Sequence, residues 1–248
     1  MILILSIILI LLVFLFGSNR TAQSIVTTMI NLGVFFCTLI AIYLGLNSIL
    51  ATIIGCIIIS LITLFYQNDF NIKTKTAFLS VLIVILVSLG FTYFIASFSN
   101  IQGFPVGQYE IRQSNGYLDT VDINMMFLQI AVILIVLIGS AIDTSLAVSS
   151  SLYEVKNHNK DITRKELFLS GISIGRGILS STINTLFFIF IAEYMSLFLY
   201  FSKYYNFSQM INSKEFAQEV ITIAIAGIAS ILAIPITSLI CSKKYNKI

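Results

Sequence analysis

Between residues 126 and 200 lie two long apolar runs, and each carries one charge that lipid tolerates only at a cost. The first, MFLQIAVILIVLIGSAIDTSLAVSSSLYEV, contains Asp143. The second, SGISIGRGILSSTINTLFFIFIAEYMSLFLYF, contains Arg176. An ionised group at the centre of a bilayer costs about 2.5–3.5 kcal/mol on the lenient insertion scale, so it normally meets a partner or a wet cavity. The polar connection VKNHNKDITRKELF makes the two runs antiparallel neighbours. This pattern specifies a polytopic membrane protein with a polar seam.

Composition agrees. The chain is 58% hydrophobic and 10% charged, whereas a soluble domain carries about 25% charged residues. The net charge of +3 is small and its basic residues sit in short loops, which fits membrane orientation and gives no footprint for nucleic acid. Cys37, Cys56 and Cys241 are widely scattered, without the close spacing of a metal site or a disulfide framework, so they are expected to pack as small apolar groups. No cofactor, metal or catalytic residue is expected: G-x-S-x-G, H-E-x-x-H and phosphate-binding glycine loops are all missing from the sequence. The chain is read as a non-enzyme.

The expected fold is an all-α integral membrane bundle, one domain over 1–248, with about seven spans near 2–17, 24–44, 48–66, 77–98, 125–147, 172–200 and 218–241. The opening MILILSIILILLVFLFGSNR lacks the positive start and small-residue cleavage site of a signal peptide, so it is read as a retained first span. The segment 99–123, with Gly103, Pro105, Gly107 and Gly116, reads as turns. Alternate loops hold Arg20, then Lys73 and Lys75, then Lys156, Lys160, Arg164 and Lys165, and the tail adds Lys243, Lys244 and Lys247. The opposite loops hold Arg112, Lys203 and Lys214. That asymmetry places the N-terminus outside and the C-terminus inside.

Helical spacing sets Ser140, Asp143, Ala147, Ser150 and Glu154 on one face of the fifth span, and Arg176, Ser180 and Asn184 on one face of the sixth. Asp143 and Arg176 fall at similar depth. Two readings follow: a proton or ion relay through Asp143, Arg176, Asn184, Ser140 and Ser180, or a structural pair fixing helix register. Asn31 reads as interhelical glue, and Glu193 and Arg176 as able to reach headgroups. Thr163 and Glu166 form a capping-box pattern for a short interfacial helix. Gly171, Gly175 and Gly177 fit either close helix packing or an unwound turn.

The blocks IGSAIDTSLAVSSSLYEV and RKELFLSGISIGRGILSSTINTLFFIFIAEYMSLFLYF resemble the YibE/F-like membrane proteins, through G-x-x-x-D leading to S-x-x-Y-E, then G-R, then S-x-x-N-T-L. The short length is similar to the YibF-like member of that family. The resemblance implies a multi-pass, permease-like protein of a Gram-positive cell membrane, with a longer YibE-like protein as partner. One departure stands out: Ile142-Asp143 occupies the place where family members often carry two adjacent acids. A fainter similarity runs to the transmembrane halves of SecF and RND-type proteins, and implies proton coupling. The leading reading is a transport-related subunit, and the alternative is a scaffold stabilising a partner membrane protein.

Overall fold

Backbone groups in lipid must be satisfied within their own segment, which leaves helices as the default for runs this apolar. The computed structural model is helical accordingly, with no strand among the described residues. Those residues are 1–17, 19–99, 101, 124–204 and 206–245; the expected turn segment 99–123 falls almost wholly outside them, as does Arg112.

The elements are α1 (Ile2–Phe16), α2 (Asn19–Tyr43), α3 (Ser48–Leu61) running into a π-helical turn (Ile62–Tyr66), α4 (Ile72–Ser99), α5 (Met125–His158), α6 (Arg164–Tyr204), a short α7 (Phe207–Ile211) and α8 (Lys214–Tyr245). Six helices are long and apolar enough to cross a membrane: α2, α3 with its π turn, α4, α5, α6 and α8. The expected first span is the exception. At 15 residues, α1 is about 22 Å long against a hydrocarbon core of about 30 Å, and it packs on α2.

Local chemistry starts these helices. Asn47 and Asn124 accept the first free amides of α3 and α5, and Asn71 and Thr74 cap α4 reciprocally. Each cap satisfies donors that the helix itself cannot. Asp69 takes the left-handed conformation at φ 62° just before α4, which its short side chain tolerates. The Thr163–Glu166 capping box forms, with Glu166 Oε2 accepting from Thr163 N at 2.9 Å. It opens the 41-residue α6 directly and not a separate interfacial helix, because no residue between 166 and 204 obliges the chain to leave the helix.

Helices α5 and α8 form the centre. Both contact α4 and α6, and α5 also meets α3; α2 packs on α3 at one edge, while α6 closes the other. Gly171 and Gly175 are continuous helix, not an unwound turn. A Cβ at Gly175 would sit 2.3 Å from Ile234 Cγ2, and one at Gly171 2.3 Å from Ser238 Oγ. Small residues four apart thus let α6 lie tightly against α8. Gly177 has open space around it. Asn31 Nδ2 donates to Thr63 Oγ1 at 2.9 Å, tying α2 to the π turn, which is the interhelical bond expected of it.

Candidate functional site

Hydroxyl side chains gather in the part of the bundle built by α4, α5 and α8. On α4, Thr76, Ser80, Ser88 and Thr92 stand four residues, or a multiple of four, apart along one inclined helical ridge. All four are buried. On α5, Ser140, Thr144, Ser145 and Ser149 are buried, and on α8, Thr222, Ser230 and Thr237. Small polar residues suit this place, since they allow close backbone approach and a hydroxyl can bond back to the preceding turn. Ser80 donates to Thr76 O, Thr222 to Gln218 O and Ser230 to Ala226 O. Ser140 also reaches across from α5 to the Ala226 carbonyl at 3.3 Å.

The column closes on a three-way cluster at the end where α4 begins and α5 and α8 finish. Thr76 Oγ1 lies 2.6 Å from Ser149 Oγ and 2.9 Å from Tyr245 Oη, and Ser149 Oγ lies 2.8 Å from Tyr245 Oη. Ser149 Oγ also donates to Lys73 O at 2.8 Å. Buried Cys241 lies one turn back from Tyr245 on α8. Outside the cluster, Lys73 Nζ pairs with Glu154 Oε1 at 2.6 Å and sits 4.5 Å above the Tyr153 ring. Tyr153 in turn meets Tyr245 edge to face. At the other end, Gln218 Nε2 donates to Ile101 O and lies 3.4 Å from Gln129 Oε1.

Between the two ends, Ser88, Thr92, Thr144, Ser145 and Thr237 carry hydroxyls with no hydrogen-bond partner, as do Thr52 on α3 and Ser238 in the seam with α6 outside the column, all at 2% exposure or less. A buried hydroxyl left unpaired costs about 1–3 kcal/mol. Each hydroxyl both donates and accepts, so hydroxyls within hydrogen-bond reach of one another, as Thr76, Ser149 and Tyr245 are, are chemically able to pass a proton. The column has no carboxylate of its own.

The residues singled out by sequence are placed differently. Ser140 alone belongs to the column. Asp143 is exposed, on the stripe of α5 that carries the exposed Val132, Val136 and Gly139. Arg176, Ser180 and Asn184 are exposed on α6. No ion pair joins Asp143 to Arg176 among the described residues, whereas Lys73 and Glu154 do pair. Rotation explains the failure of the expected pairing. Leu152 is the α5 residue that touches the Gly171 position of α6, and Asp143 lies nine residues before it, about two and a half turns, hence on the opposite side of the helix. Arg176 follows Gly175, which faces α8, and so stands about 100° round from that contact. Glu193 is exposed and His158 Nδ1 donates locally to the Glu154 carbonyl, 2.9 Å away.

The sequence signal for the column is the recurrence of Ser and Thr at multiples of four in α4 and at spacings of eight and seven in α8. Hydropathy hides it, since an isolated serine or threonine in an apolar run looks neutral.

A family model described as YibE/F-like protein matches residues 5–247, nearly the whole chain. Neither a curated protein nor a solved structure matches it.

Proposed function

This chain belongs to the YibE/F-like protein family, and from that premise we propose that it is a transport-related membrane subunit which moves a proton or small ion along the hydroxyl column of α4, α5 and α8. The observation that carries this reading is the set of buried, unpartnered hydroxyls at Ser88, Thr92, Thr144, Ser145 and Thr237. A core selected for packing alone would use alanine there and avoid the penalty of an unpaired polar group. The Thr76–Ser149–Tyr245 cluster is the gate at the basic end of the path. In this reading α1, though short, serves as the first of seven spans by thinning the bilayer around it, the C-terminus is cytoplasmic by the charge of its loops, and the membrane is the plasma membrane of a Gram-positive cell.

Asp143 supports the subunit character. Its carboxylate is exposed on α5 without an ion-pair partner among the described residues, and lipid is a poor host for it. A second membrane protein, a longer member of the same family, supplies the missing contact. Membrane vesicles from cells with and without the chain test the transport reading through a pH-sensitive dye or a cation indicator. Faster dissipation of an imposed gradient in the presence of the chain, slowed in Thr144→Val and Ser145→Ala, supports it.

The scaffold reading has its own observation: only 11% of the α6 span is buried, which leaves a long face for another protein. It requires that deleting the chain lowers the abundance of a membrane partner while ion movement is unchanged by either substitution.

A further inference from the structure

Two clefts open between α6 and α8, one of about 380 Å³ lined by Arg164, Lys165, Phe168, Leu239 and Ser242, the other of about 260 Å³ lined wholly by apolar residues, among them Ile183, Phe187, Ile228 and Ile231. Helical spacing makes them one furrow. Lys165, Arg176, Ile183 and Phe187 are separated by 11, 7 and 4 residues, so they fall on one stripe of α6. On α8, Ile228 and Leu239 are 11 apart, as are Ile231 and Ser242, which again is one stripe.

We propose that this furrow binds an anionic phospholipid, with its phosphate at Arg164 and Lys165 and an acyl chain laid toward Ile231 and Phe187. The chemistry is graded along the furrow. Its head is a basic pair, both side chains exposed. The adjacent carboxylate of Glu166 is turned into its own helix cap by Thr163 N and Oγ1 and so leaves the basic pair unneutralised. Past Arg176 its length is apolar and open, with Leu239 44%, Ile231 46% and Phe187 53% exposed. From Ser242 to Ile231 is about 16 Å along α8, close to the depth of one leaflet in a core of about 30 Å. A free phosphate would use only the first cleft; a lipid uses both. This site is independent of the hydroxyl column and of any ion movement through it.

The test is native mass spectrometry of the purified chain in mild detergent with phosphatidylglycerol, with phosphatidylcholine of the same acyl length, or with glycerol phosphate. Phosphatidylglycerol is expected to stay bound while the other two do not. Each basic residue near an anionic lipid surface is worth about fivefold in attraction, so the double variant Arg164→Gln, Lys165→Gln should bind it about 25-fold more weakly. Lys203→Gln with Lys214→Gln, at the other end of the bundle, should change nothing. Equal retention of the zwitterionic lipid overturns the proposal on the unaltered chain alone. Displacement of phosphatidylglycerol by glycerol phosphate overturns it too, since that marks a simple anion site.

Discussion

The Tyr245 hydroxyl stands 2.8 Å from Ser149 Oγ, and through that contact the last turn of α8 is fastened to α5. Thr76 Oγ1, 2.6 Å from Ser149 Oγ, brings in the first turn of α4. Three helices far apart in sequence therefore share one buried polar joint, while the ion pair beside it, Lys73–Glu154, is partly exposed at 27% and 56%.

Tyr245→Phe removes its bonds to Thr76 and Ser149, which keep each other and a backbone carbonyl as partners. We expect a loss of about 1–2 kcal/mol in unfolding free energy, measured by denaturant titration in detergent. Glu154→Gln breaks the more exposed ion pair and should cost less than Tyr245→Phe. The reverse order would mean that the surface pair, not the buried cluster, holds these helix ends.

Gly175→Ala should destabilise the bundle by roughly 1–3 kcal/mol, because the new methyl meets Ile234 Cγ2 at 2.3 Å in a close-packed seam. Gly177→Ala, only two residues on and in open space, should be neutral or stabilising. Thermal melts of the two variants in one detergent separate them.

Asp143→Asn and Arg176→Gln are each expected to leave stability of the isolated chain within about 0.5 kcal/mol of the parent, since neither side chain has an ion-pair partner among the described residues. Copurification with a membrane partner should fall in Asp143→Asn. A large drop in melting temperature of the isolated chain would show that Asp143 has an internal structural role instead.

The proposed orientation puts the loop 159–163 and the α7 region on opposite sides of the membrane. In a Cys37→Ser background, Cys56 and Cys241 are buried and should stay unlabelled. A membrane-impermeant maleimide should then label Ser208→Cys in intact cells and Lys160→Cys only after the membrane is opened.

Much of the architecture is legible in the sequence, because runs of some 20 apolar residues leave the backbone no alternative to helix. The Asn31 bond and the Thr163–Glu166 cap were legible as well, each resting on residues at short fixed spacing. Helix rotation was not. Asp143 and Arg176 share a depth, yet depth says nothing about which side of each helix the neighbours cover, and the glycine contacts at Gly171 and Gly175 decide that. The hydroxyl column escaped for a related reason: Ser88 or Thr144 carries no charge, so only the meeting of α4, α5 and α8 gives it meaning. The first helix, α1, is read as a span over 2–17 on apolarity; it forms over Ile2–Phe16 but is not among the six helices long enough to cross.

Ion movement through the column is tested most directly by the rate at which an imposed proton gradient decays in everted membrane vesicles carrying the parent chain or its Thr144→Val, Ser145→Ala double variant. The parent should speed the decay over vesicles lacking the chain, and the double variant should slow it at least about tenfold, equivalent to roughly 1.4 kcal/mol in the barrier, with its protein level unchanged. Equal rates in parent and double variant, or no difference from vesicles without the chain, would contradict a path through those hydroxyls.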